Sequence, residues 1–413
     1  MPRQHGTGGP ERPRLRSAAA ALTSLLALAA TGLVAGPAVA ASGDAGPCAL
    51  PRTGAHHSLG LDTWNGAYPR PERGLDAVMV FLSFPDSEPV VAPEVLAADY
   101  FPSTTQFFQR ASYGKFTLRP HPQRQWTAMP HPSTWYGIER DWDSGRRGSY
   151  LRDAIRAADE RTDFSAYDIV YLVADPDAPG VDSDATKVVN FDRPVRADGT
   201  DIRRVVTVFE EHPPDRNVLA HETGHVFDLA DLYHRPDDGK GDWDTYVGDW
   251  DVMGSQFGLS PDLFGWHKWK LGWLEGEEVV CVQGSADLTL QPMAEVPVPG
   301  ASVGTRLAVV RTGQDSALAI EARSATGNDR ATCTEGVLVY RIRNATPSGG
   351  GPVEVLDTHP ESDACWDRSV YPPLADAPLR EGERYTVPGE RIRIEVAGRT
   401  RSGAWTVRVT TGV

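Results

Sequence analysis

Residues 218–227, Val-Leu-Ala-His-Glu-Thr-Gly-His-Val-Phe, place two imidazoles and a carboxylate inside an otherwise apolar stretch. An α-helix turns once every 3.6 residues, so His221 and His225 project from one face and can share one ion. Asn217 stands where an N-cap is wanted, and Val218-Leu219-Ala220 opens the helix. Glu222 follows the first histidine, where its carboxylate can reach a metal-bound water without ligating the metal. Zinc draws the pKa of such a water towards neutrality, and the glutamate takes its proton as the water attacks a peptide carbonyl. The bland reading is two surface histidines beside a solvated glutamate. The apolar neighbours argue for a buried helix instead, and buried histidines and a glutamate without partners would be costly.

A catalytic zinc takes three protein ligands and keeps one position open. The sequence has no Glu between Glu222 and Glu275, so a glutamate from a helix some twenty residues on is not available. Asp231, six residues after His225, is the natural third ligand, provided that the chain turns sharply after the helix. Asp231 as a simple turn cap is the competing reading. Asp228 is a weaker rival, because it should still lie in the helix or be just leaving it. Acceptors for the far ring nitrogens of the histidines are expected among Asp228, Asp249 and Asp251. Tyr233, His234 and Tyr246 are the candidates for polarising a substrate carbonyl. Met253 suits a packing floor better than a ligand, since soft thioethers do not suit zinc.

The segment His221-Glu222-Thr223-Gly224-His225-Val226-Phe227-Asp228-Leu229-Ala230-Asp231-Leu232-Tyr233 resembles the zinc signature of the immune inhibitor A-like secreted metallopeptidases, His-Glu-x-Gly-His-x-x-Gly-Leu-x-Asp-x-Tyr. Trp250-Asp251-Val252-Met253-Gly254 is similar to that family's Trp-Asp-x-Met segment. Weaker likeness runs from about residue 74 to 345, through residues 80–86, 112–116, 265–273 and 336–341. The resemblance implies a metzincin-like fold, in which the third ligand comes after a tight turn and a methionine turn lies beneath the metal. It also implies stabilisation by calcium. Asp228 stands where the family has Gly, whose freedom permits a left-handed turn. Asp is among the residues that tolerate that conformation.

The rest of the chain frames this helix. Residues 77–84, Ala-Val-Met-Val-Phe-Leu-Ser-Phe, form a continuous apolar run of the kind that suits a strand buried on both faces. A helix near 104–111, a strand at 116–119, a helix at 149–161 and strands at 169–173 and 205–209 come after it. From residue 279 the pattern becomes short runs at 288–290, 306–311, 317–322, 336–342, 392–396 and 405–409. Gly, Pro and Ser clusters such as Pro347-Ser348-Gly349-Gly350-Gly351-Pro352 separate them. The expected class is therefore α+β: a mixed-sheet zinc peptidase domain at 74–276, then a β-rich, sandwich-like domain at 277–413. Residues 41–73, rich in Gly, Pro and His, read as a leader. Trp266, Trp269 and Trp273 read as core.

Residues 1–40 carry Arg3, Arg12, Arg14 and Arg16, an uncharged Ala/Leu-rich run over 17–34 and the close Ala38-Val39-Ala40. This is the pattern of a cleaved signal peptide, and nothing after residue 41 is long and apolar enough to span a bilayer. A secreted, extracellular protein is expected, acting as a monomer. The formal charge of −15 for 413 residues argues against nucleic-acid partners and against anionic membranes. An even count of cysteines in an exported chain favours two disulfides, with three possible pairings. Cys333 with Cys365 is the local choice, leaving Cys48 for Cys281; a Cys48 thiolate capping the zinc is the alternative. The acidic clusters Asp175, Asp177, Asp182, Asp184 and Asp237, Asp238, Asp242, Asp244 could hold structural Ca2+ or be solvated loops. The function expected is a zinc-dependent endopeptidase acting on proteins or peptides. The alternatives are another zinc hydrolase, such as an amidase or deacetylase, and a non-catalytic binding protein with a structural zinc.

Overall fold

The computed structural model describes residues 48–52, 60–296 and 304–412. The expected signal peptide at 1–40 lies outside them. Strands β1 (Gly74–Ser83), β2 (Thr117–Ala128), β3 (Ile169–Ala174), β4 (Lys187–Ala197) and β5 (Thr200–Val208) form one sheet in the order β2-β1-β3-β5-β4. Its inner strands run parallel, while β4 lies antiparallel at the edge.

The apolar run at 77–84 becomes β1, and both its faces are covered as its composition requires. Leu75, Ala77, Met79 and Phe81 pack into one core; Val78, Val80 and Leu82 pack into another. Helices α1 (Pro93–Tyr100) and α2 (Ser103–Ala111) serve the first core. The short α3 (Ser133–Tyr136) and the longer α4 (Ser144–Asp159) serve the second. Two further helices, α5 (Val218–Val226) and α6 (Gly265–Lys270), join the first core beside Phe108, Phe116 and Phe227.

Beyond residue 278 the strands are short. β6 (Val279–Cys281), β7 (Ala286–Leu290), β8 (Leu307–Arg311), β9 (Ser316–Arg323), β10 (Gly336–Arg343), β11 (Val353–Val355), β12 (Arg384–Thr386), β13 (Ile392–Arg399) and β14 (Trp405–Thr411) make two sheets. One runs β11-β10-β9-β8-β6 and the other β12-β13-β14-β7. Alternation along β8 to β10 sends Ala308, Val310, Leu318, Ile320 and Val339 inward, between the two sheets. The other faces of the same strands, through Leu307, Val309, Ala319, Leu338 and Tyr340, join the core that holds α5 and α6. The described residues after 47 therefore pack as one unit, and the class is α+β.

The cysteines pair as Cys48–Cys281 and Cys333–Cys365, with Cα separations of 5.5 and 6.2 Å, so no thiol is left free for a metal. Residues 60–73 have no helix or strand but are not a loose leader. The carbonyls of Leu61 and Pro71 accept the indole N–H groups of Trp266 and Trp273, at 2.9 and 2.8 Å. Both tryptophans are core, as expected. Among the described residues, no helix is long and apolar enough to cross a membrane.

Candidate metal centre

α5 is buried along its whole length. It begins at Asn217, as expected, but not through a side-chain cap. Asn217 takes a left-handed backbone (φ 59°) and its amide donates to the Gln256 carbonyl at 3.1 Å. The helix ends in a Schellman motif: the N–H of Asp228 reaches the His225 carbonyl and that of Leu229 reaches the Gly224 carbonyl. Such an ending demands a left-handed residue, and Asp228 supplies it with φ 69°. Its carboxylate is buried against the ammonium of Lys270 at 2.9 Å and accepts the Asn65 N–H. Burial raises the Asp228 pKa to about 6, against the pull of Lys270.

The reversal carries Asp231 back to the histidines. His221 Nε2 and His225 Nε2 lie 3.2 Å apart, and Asp231 Oδ1 lies 3.2 Å from the first and 3.1 Å from the second. A tetrahedral zinc with bonds near 2.05 Å has ligand atoms about 3.3 Å apart, so this donor triangle fits such an ion. Each Nδ1 faces a backbone carbonyl at 2.8 Å, Val252 for His221 and Leu229 for His225. A carbonyl only accepts, so both Nδ1 atoms carry a proton and both Nε2 atoms face into the triangle.

The charges are tightly coupled. Burial works against a charged His225, but Asp231 overcomes it and lifts the imidazole to about 9. His221 is raised likewise, against its burial, by the hydrogen bond to Asp231. Burial would raise Asp231, yet His225 and His221 hold it far below the usual carboxylate range. Glu222 is pushed up by burial, against the pull of both histidines. The Val188 N–H of edge strand β4 points to its carboxylate, and Oε2 has no partner. An orphaned buried oxygen beside three converging donors is what a site built for an ion and a substrate would leave open.

The segment after α5 is held from below. The Met253 carbonyl accepts the Leu232 N–H at 2.9 Å, and the Met253 thioether packs under Gly224. Asp251 fixes this turn through the N–H groups of Met253 and Phe264 and through His267 Nδ1. Asp249 fixes it through Leu259, Ser369 and Val370. The three aspartates considered as acceptors for the histidines therefore brace the surrounding turns instead. Backbone carbonyls take that role because the turn at Val252–Met253 and the helix end already run beside the rings.

Two contributions have no local signal in the sequence. Ser348 Oγ accepts the Asp231 N–H and donates to Asp231 Oδ2 at 3.0 Å, and the Gly349 N–H meets the Asp231 carbonyl. These residues belong to the Gly-rich separator between β10 and β11. The second is Lys270, 42 residues from Asp228.

A cleft of about 510 Å³ opens over the triangle, bordered by Lys187 and Val188 of β4. Tyr233 lines it, near the Asp231 carboxylate and stacked on Trp243 with ring centres 5.2 Å apart. His234 stacks on Tyr246 instead, and neither borders the cleft. Neither acidic cluster brings three carboxylates together; among the described residues only His221, His225 and Asp231 converge in that way. Asp182 and Asp242 cap 3-10 turns, Asp175 accepts Ser87 Oγ, and Asp184 pairs with Arg140.

No protein-family model and no curated protein matches the chain. Among solved structures it is similar to wild-type OgpA from Akkermansia muciniphila, at 11% identity and a TM-score of 0.30, over 83% of this chain and 94% of that one. Likeness at that level carries no argument about chemistry.

Proposed function

We infer that the chain is a secreted zinc-dependent endopeptidase, metzincin-like in its active-site segment and related to the immune inhibitor A-like metallopeptidases. One observation carries the reading: two imidazole Nε2 atoms and a carboxylate oxygen converge within about 3.2 Å beside the unpartnered Oε2 of Glu222. His221, His225 and Asp231 would hold the zinc, which supplies a Lewis acid and makes water acidic enough to act at neutral pH.

The protein's own groups supply the rest. Glu222 takes a proton from the attacking water and passes it to the nitrogen of the departing amine, so that the new C–O bond replaces the C–N bond. The Tyr233 hydroxyl lies beside Asp231, placed to donate to the carbonyl oxygen as that oxygen gains charge. β4 presents an outer sheet edge beside the cleft, against which an extended peptide can lie. A structural zinc would need a fourth protein ligand, whereas only three converge among the described residues. Two disulfides fit an oxidising compartment outside the cell.

The deciding experiment measures casein or gelatin cleavage by the purified protein, with and without chelator, beside Glu222→Ala. Chelator and substitution should each abolish cleavage, while Glu222→Ala keeps its zinc. Cleavage that survives the substitution defeats the peptidase reading. A protein that cleaves no protein substrate but hydrolyses small amides, or releases acetate from acetylated ones, points to another zinc hydrolase.

A further inference from the structure

The left-handed turn at Asp228 is the hinge of the site. It lies next to Leu229, whose carbonyl orients His225, and three residues before Asp231. An L-residue other than glycine resists φ 69°, and a buried carboxylate resists burial, so this position carries two costs at once. The structure answers both chiefly through one side chain, although Asp228 Oδ1 keeps no partner. Lys270 Nζ, itself buried at the end of α6, reaches Asp228 Oδ2 at 2.9 Å and the Asp228 carbonyl at 2.7 Å. It thereby grips the side chain and the backbone of the same residue. Its remaining contact is the Gly60 carbonyl, and the Asn65 N–H closes on Asp228 Oδ2 at 3.1 Å. Residues 60–65 therefore form a strap across the turn, tied down again by Trp266 on the Leu61 carbonyl.

We propose that Lys270 is a positioning residue for the metal centre: with the strap at 60–65 it locks the left-handed turn at Asp228, and so sets where the Leu229 carbonyl holds His225 and where Asp231 meets the two histidines. This rests on His221, His225 and Asp231 being the ligands. The lock stands in for glycine. Where a glycine would take the turn at no steric cost, this chain takes it with an aspartate clamped by a distant ammonium.

The proposal separates from a merely structural salt bridge by a swap. Lys270→Met leaves Asp228 buried and unclamped; Lys270→Met combined with Asp228→Gly removes the need for a clamp. Zinc affinity is read by chelator competition at a temperature where all variants are folded, and amide exchange over residues 228–231 is read in the metal-free full chain. Lys270→Met should weaken zinc binding about tenfold or more and speed the exchange. The double variant should return both to near the parent.

Unchanged zinc affinity and exchange in Lys270→Met, or a double variant as impaired as the single one, overturns the proposal. If Lys270→Met does not fold, the double variant decides alone: parent-like zinc affinity supports the lock, and weakened affinity overturns it. A parent chain that binds no zinc defeats the ligand reading rather than the lock, which the exchange data then judge by themselves.

Discussion

A methyl group at Gly224 would lie 2.4 Å from the Met253 sulfur and 3.2 Å from its terminal methyl. Gly224→Ala should therefore cost about 1–3 kcal/mol by overpacking a closed core, seen as a lowered Tm in calorimetry. A variant with the parent's Tm would show that the Met253 side chain yields to the added methyl. His225 sets a pH dependence. Burial disfavours its charge, but Asp231 lifts its pKa to about 9, so the metal-free site at pH 7 holds a proton that an ion must displace. Zinc affinity should then rise with pH from 6 towards 9 and flatten above, with proton release on binding. Calorimetric titrations in buffers of different ionisation enthalpy measure that release; a pH-independent affinity would refute the coupling.

Helix α5 is too short to stand alone, with nine residues and a glycine near its end. Its ends are held by tertiary contacts instead, and Asn217 illustrates the consequence. Judged by capping preference, Asn217→Ser should be neutral. In the structure Asn217 adopts φ 59° and donates to Gln256, so serine loses both the tolerated left-handed backbone and a hydrogen bond. A loss of about 1–2 kcal/mol is expected in urea denaturation, with zinc affinity little changed. A neutral result would mean that the side-chain bond to Gln256 is dispensable.

At the scale of the whole molecule, the mixed sheet and the strands after residue 278 share a core, and a buried ionic network ties those later strands to residues 260–268. Arg323 on β9 pairs with Glu321 at 3.0 Å and Asp329 at 2.8 Å, and donates to the carbonyls of Ser260 and Asp262, which follow the turn at Met253. Lys268 of α6 pairs with Asp262 at 2.7 Å. Removing one partner leaves the others charged and buried, so Arg323→Met should cost about 3–5 kcal/mol. Because the core is continuous, the two halves should unfold in a single calorimetric transition. Two resolved transitions would show that they are stable separately.

Much of this was legible along the chain. Spacing alone puts His221, Glu222 and His225 on one buried helix, because helical periodicity is a local property. Unbroken apolar runs announce strands covered on both faces, as 77–84 does, and short alternating runs announce the two later sheets. β4 was not legible: Lys187–Ala197 mixes charged and apolar residues because an edge strand meets solvent along one side. Nor could the sequence rank the acceptors behind the histidines, since those are backbone carbonyls and any residue has one. The fate of Asp228 was decided by tertiary structure alone. A departure from glycine reads as a weakness until Lys270, 42 residues on, and the strap at Asn65 close over it. The sequence by itself determined which groups can bind an ion, through local spacing. Only the folded chain decided how they are held, because the groups that hold them are distant in sequence and are selected by packing.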